Sequence, residues 1–166
     1  QRPILRILGR GTNAWKAKLT NHAKSKGIGD QLELLGHVDD VAIHLRRADL
    51  FVSSSRWEGA SNAVLEALAC GTPIVATKAP TGIEEVLLPL GRDILVPVGD
   101  PDALARAIET RLGQPRGSDG LIERARDFGL SSTLDRYSQM FTEQLSLAER
   151  PSHRSPRTPA AHLQYN

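Results

Sequence analysis

Short apolar runs alternate with longer amphipathic stretches along the 166 residues. Residues 4–8, 32–35, 50–53, 74–76 and 94–96 are runs bounded by glycine, proline or polar clusters, and each reads as a strand, that at 50–53 as a buried one. Between them the apolar spacing widens to three and four. Trp15, Leu19 and Ala23 share one face of a helix that opens at Thr12 or Asn13 and stops at Gly27 or Gly29. A short helix over 39–48 takes Asp39 or Asp40 as cap and turns Val41 and Leu45 inward. A helix over 63–69 has Ser61 or Asn62 as N-cap, Gly71 at C′ and Pro73 beyond it. Asp100-Pro101 supplies cap and first position to another, with Leu104, Ile108 and Leu112 inward. After a loop over 113–120, a short helix over 121–128 follows. Ser132-x-x-Asp135 then reads as the capping box of a last helix striped by Leu134, Tyr137, Phe141 and Leu145. Strand and helix in alternation predict an α/β domain with a parallel sheet and helices on both faces.

Composition narrows the classes. A hydrophobic content of 40% suffices for the core of one domain. Two Trp, two Tyr and three Phe are too few for a base-stacking platform, and a net charge of +2 is not that of a nucleic-acid binder. The single Cys excludes an internal disulfide and fits a reducing, cytoplasmic setting. Five scattered His show no metal-ligand spacing, so no metal site is expected. No apolar run is long enough to cross a bilayer.

The chemistry concentrates in residues 49–73. An apolar strand runs into the loop Arg56-Trp57-Glu58-Gly59-Ala60, then into a helix of good formers, then into a second apolar strand. The loop therefore lies at the carboxyl end of a parallel strand, where open α/β sheets bind ligands. The amides of Gly59, Ala60, Ser61 and Asn62 at the helix start favour an anion. Glu58 stands before that start and Glu66 on the second turn. Carboxylates beside an anion site are electrostatically consistent only if the ligand also brings hydroxyls. A sugar nucleotide brings both diphosphate and hydroxyls.

Glu58-x7-Glu66, in the form EGxSNxxxEAxACGTP, resembles the motif of retaining GT-B glycosyltransferases of the GT4-type family (glycosyl transferases group 1), over residues 4–148. The resemblance implies the C-terminal, donor-binding half of a GT-B fold, with a basic, Pro-rich, disordered tail over 149–166. It implies transfer of a sugar from a nucleotide diphosphate sugar to an unknown acceptor, without cofactor or metal. Glu58 is the expected catalytic residue. Glu66 and residues Gly59, Ala60, Ser61 and Asn62 are expected to bind the donor. His37 and Val38 match the family's "LG-x-V" corner, where main-chain groups hold the base. In the loop after residues 74–76, Gly82 and Glu85 match the family's pattern, with Thr81 in place of a glycine and Glu84 an added charge. The family's N-terminal domain, which supplies the acceptor site, is the expected missing partner. The Arg and Lys that grip the diphosphate lie upstream of residue 1.

Four other expectations follow. Gly9-x-Gly11-x-x-Ala14 fits a relaxed dinucleotide fingerprint, so an NAD(P)-binding Rossmann domain is a rival reading. Its weakness is that the next strand ends in Gly36-His37-Val38, with Glu33 inside the strand rather than at its tip. A non-catalytic nucleotide-sugar-binding or interaction module is a second rival. The tail, with Arg154 and Arg157 among prolines, could touch an acidic membrane surface at the inner face, as a peripheral contact. Finally, a doubly wound sheet has the order 3-2-1-4-5-6. Aligned by motif, the five strands are numbers 2 to 6, so the central strand is absent. A gap of about 9–10 Å, two strand spacings, is expected between residues 4–8 and 50–53, or else a collapsed sheet in which these two strands pair.

Overall fold

A computed structural model describes residues 2–59, 61–80, 82–117 and 119–148. The expected tail lies outside these residues. The chain divides into two compact units, Gln1–Arg126 and Asp127–Asn166.

In the first unit the order is β1 (Leu5–Leu8), α1 (Asn13–Ser25), β2 (Leu32–Gly36), α2 (Val41–Arg47), β3 (Phe51–Ser53), α3 (Asn62–Ala69), β4 (Ile74–Thr77), α4 (Ile83–Leu87), β5 (Leu95–Val96), α5 (Pro101–Leu112) and α6 (Asp119–Arg126). All strand pairs are parallel. β1 pairs with β2, Leu5 opposite Leu32, and β4 pairs with both β3 and β5, Ser53 opposite Ala76 and Ala76 opposite Leu95. The result is a Rossmann-like α/β arrangement broken in two, β1-β2 and β3-β4-β5. β1 and β3, the strands expected to flank an absent central strand, share no ladder. The alternative, direct pairing of the two, does not occur.

Local chemistry explains the boundaries. Thr12 Oγ1 accepts from the Trp15 amide to open α1, Asp40 Oδ1 from Ile43 to open α2, and Asp100 Oδ1 from Ala103 to open α5. α1 and α3 close identically. Beyond Lys26, Gly27 at φ 71° donates to Lys24 O and Ile28 to Ala23 O; beyond Cys70, Gly71 at φ 65° donates to Leu68 O and Thr72 to Ala67 O. The core is assembled from Val64, Ala67, Leu68, Ile74, Ile83 and Leu87 with their neighbours, under α2, α3, α4 and α6. Thr72, fully buried, donates to Leu45 O at 2.7 Å and ties α3 to α2.

Two expectations are corrected. Leu112 is exposed rather than inward, because α5 packs on β4 and the two-residue β5, and its last turn runs past them. In the second unit, α7 spans Leu130–Ala148, so Ser132 lies inside the helix and does not open it. The helix starts a turn earlier, where Gly129 O takes the Thr133 amide, and the Ser132 hydroxyl bonds back to the same carbonyl at 3.3 Å. Leu134, Tyr137, Phe141 and Leu145 form the expected stripe and are exposed. The Tyr137 and Phe141 rings stack with centroids 6.4 Å apart.

Candidate functional site

β3 ends at Ser53, and the chain leaves the sheet at its carboxyl end through 54–61 before α3 begins. Glu58 is half-buried in this loop, and the Ser55 hydroxyl donates to its Oε1. The loop is anchored from below. Thr77, at the end of β4, directs its hydroxyl at Ser55 O, 2.5 Å away, and at Ser53 O, 3.4 Å away.

Ser61 occupies the N-cap position of α3, but its side chain makes no cap bond. The Ser61 carbonyl accepts from Val64 and Leu65. Hence the amides without an acceptor in the protein at the helix start, among the described residues, are those of Asn62 and Ala63. The sequence leaves the cap open between Ser61 and Asn62 and so does not single out the Ala63 amide. Gly59 is exposed just before this start, and Ala60 lies outside the described residues. Glu66 lies on the second turn of α3, exposed, with no hydrogen-bond or ion-pair partner among the described residues. The helix therefore presents a positive pole with two carboxylates near it, one tethered and one open to solvent.

The neighbouring loop begins at β4. Gly82 caps α4 in a left-handed conformation at φ 76°, and a Cβ placed there would sit 4.0 Å from Gly59 O, so α4 starts against the Glu58 loop. Lys78 Nζ lies 3.4 Å from Glu84 Oε1, which engages the extra charge noted in this loop. Thr81 lies outside the described residues.

His37 and Val38 follow β2 at its carboxyl end, after Gly36 at φ 72°. They belong to the β1-β2 sheet, whereas Glu58, Ser61, Asn62 and Glu66 belong to the other; the break separates the two groups. His37 Nε2 is 3.8 Å from Asp39 Oδ1, and both side chains are largely exposed.

The dinucleotide reading loses its key group. Glu33 is the second residue of β2, near its start, and its Oε2 accepts from Arg6 Nε on β1 at 2.6 Å. No acidic residue stands at the tip of β2 to take a ribose. Among the described residues no group of three His, Cys, Asp or Glu side chains is placed to hold a metal.

The fold class is thus the Rossmann-like half of a GT-B architecture, with a carboxylate pair about a helix start at the carboxyl ends of its strands. The family model for glycosyl transferases group 1 matches residues 1–114, and the chain belongs to that family. It is 31% identical over 143 residues to the lipopolysaccharide core biosynthesis glycosyltransferase LpsE of Rhizobium meliloti, covering 81% of this chain and 40% of LpsE. It is 30% identical over 158 residues to the exopolysaccharide phosphotransferase SCO2592 of Streptomyces coelicolor, covering 92% of this chain and 17% of that protein. In fold it resembles sucrose-phosphate synthase from Thermosynechococcus elongatus, with a TM-score of 0.74, 24% identity, and coverage of 86% of this chain and 39% of that one. Anabaena Alr3699/HepE, solved in complex with UDP, superposes with a TM-score of 0.67 at 21% identity, over 87% and 41% of the two chains. The chain spans well under half the length of each of these proteins. Among the described residues no helix is long and apolar enough to cross a membrane.

Proposed function

We propose that the chain is the donor-binding half of a glycosyltransferase that takes a sugar from a nucleotide diphosphate sugar and passes it to an acceptor with retained anomeric configuration. The observation that carries this reading is the pair of carboxylates about the start of α3, Glu58 tethered by Ser55 and Glu66 open to solvent. Glu66 accepts from the ribose hydroxyls. Glu58 accepts from the donor sugar near its reacting carbon. The amides of Asn62 and Ala63, with Gly59 before them, take the charge that develops on the departing diphosphate. Loss of one such preorganised donor costs about 2.7–4 kcal/mol of transition-state stabilisation, against about 0.3–2 kcal/mol for the helix dipole alone. In this reading no bound metal is required, because main-chain donors supply the neutralisation. His37 and Val38 hold the base through main-chain groups. The acceptor and the opposite wall of the cleft come from a further domain.

Isothermal titration of the chain tests the ligand class: UDP, GDP or a sugar-linked form should bind better than NAD. Preferential binding of NAD overturns the reading. In the full-length protein, Glu58→Gln should lower kcat strongly with the fold intact, whereas Glu66→Gln should chiefly weaken nucleotide binding. Wild-type kinetics in both variants would leave the two glutamates as solvated side chains, and nucleotide-sugar binding without transfer would identify a binding module instead.

A further inference from the structure

The tether on Glu58 is part of a longer chain of contacts that starts inside the sheet. β4 runs one residue further than the ladder it shares with β3: the last β3 pair is Ser53 with Ala76, while Thr77 pairs on its other side with Val96. Ser55 lies beyond this ladder, so its carbonyl has no β4 partner in it. Thr77, only 4% exposed, reaches it with its hydroxyl, 2.5 Å from Ser55 O and 3.4 Å from Ser53 O. Buried carbonyls need a donor, and a threonine at the end of a buried strand supplies one where the backbone cannot. Ser55, its main chain fixed in this way, then donates its own hydroxyl to Glu58 Oε1. The sequence is continuous: buried strand, Thr77 hydroxyl, Ser55 main chain, Ser55 hydroxyl, Glu58 carboxylate.

A carboxylate that must accept from a sugar hydroxyl gains from having one oxygen already occupied. The bond to Ser55 removes rotational freedom about the terminal torsion of Glu58 and so fixes the plane of its carboxylate. We infer that Ser55 and Thr77 are positioning residues for Glu58, which set the orientation of its carboxylate toward the donor sugar. The inference rests on the donor-site reading above and deepens it. Ser55 acts directly on the carboxylate and Thr77 through Ser55.

The test compares bare and sugar-linked nucleotides on the same chain: UDP against UDP-glucose, UDP-galactose and UDP-N-acetylglucosamine, and GDP against GDP-mannose, by isothermal titration. For the pair with the largest gain from the sugar, Ser55→Ala should remove about tenfold of that gain and leave the bare nucleotide within about twofold of wild type. Ser55→Thr should restore it. Thr77→Val should behave as Ser55→Ala does, and Thr77→Ser as wild type. A sugar gain that survives both Ser55→Ala and Thr77→Val overturns the inference, as does a wild-type chain that binds bare and sugar-linked forms equally. A wild-type chain that binds none of the probes overturns the donor-site reading instead. The tether is then judged by the side-chain carboxyl 13C signal of Glu58 at neutral pH, assigned by its loss in Glu58→Gln. That signal should move in Ser55→Ala and return in Ser55→Thr; a signal that stays in place overturns the tether. The Ser55 variants alone decide the matter if Thr77→Val does not fold, since Ser55 lies in a loop.

Discussion

β1, α1 and β2 repeat the strand–helix–strand plan of β3, α3 and β4, yet the two regions bury very different shares of what they carry. In residues 2–36 only Ala23 is buried; Leu5 remains 52% exposed and Trp15 58%. In the other region Val64, Ala67, Leu68, Ile74 and Val75 are almost wholly removed from water. Part of the difference is composition, since α1 carries Lys16, Lys18, His22 and Lys24 whereas α3 is almost wholly apolar. The rest lies in neighbours: β4 has a strand on each edge and helices over it, whereas β1 has β2 on one edge and nothing paired on the other among the described residues. An amphipathic pattern creates a face, but only a flanking element buries it. Burial is a property of the assembled sheet and cannot be assigned to one strand.

The sharpest way to break this comparison is hydrogen exchange. Amides of Val75, Ala76 and Thr77 should exchange at least about a hundredfold more slowly than those of Arg6, Ile7 and Leu8, since local opening needs far less free energy where few apolar contacts are lost. Equal protection, or one sharp thermal transition shared by both regions, would show that the chain folds as a single unit despite the break. Next in size, Leu68→Ala should cost about 2–5 kcal/mol in urea unfolding, whereas Leu5→Ala should cost less than about 1 kcal/mol. Thr72→Val should follow at about 0.5–1.5 kcal/mol, because Leu45 O loses its 2.7 Å donor but keeps the Ala48 amide. The two glycine stops give the most direct contrast. Gly27 and Gly71 close α1 and α3 with the same bonds at nearly the same φ. Alanine at 71 should lower the stability of the main transition by about 1–2 kcal/mol, while alanine at 27 should leave that transition unmoved. Equal shifts would mean that the first region contributes to the same cooperative event.

The strands were readable to within a residue or so, because buried parallel strands are short apolar runs with abrupt ends. Caps at Asp40 and Asp100, and the glycine stops at 27 and 71, follow from chemistry local to each helix end. The break between β1 and β3 was also legible, since it follows from strand order and not from any side chain. Contacts across strands were not legible. Nothing in the spacing of Arg6 and Glu33 announces their pairing, which depends on register. Thr77 gives no local sign that it will serve Ser55, twenty-two positions away. Ser132 shows the opposite failure: its spacing to Asp135 fits a cap, but Gly129 starts the helix first. At the candidate site, the motif points to the two carboxylates and the loop that carries the first of them. Which amides stay unpaired depended on where α3 begins.

The broken sheet also has a consequence for how molecules meet. The open edge of β1 and the open edge of β3 are different surfaces that would be bridged by the same kind of parallel pairing, and unpaired strand edges are templates for another chain. When β1 of one molecule takes its place beside β3 of a second, the second still offers its own β1 to a third. Such a contact is head-to-tail and has no rotation that must close it, so it propagates where a two-fold contact would stop at a dimer. We therefore expect light scattering from the isolated chain to rise with concentration without a plateau at twice the monomer mass; a stable monomer or a closed dimer would show that the two edges are shielded in solution.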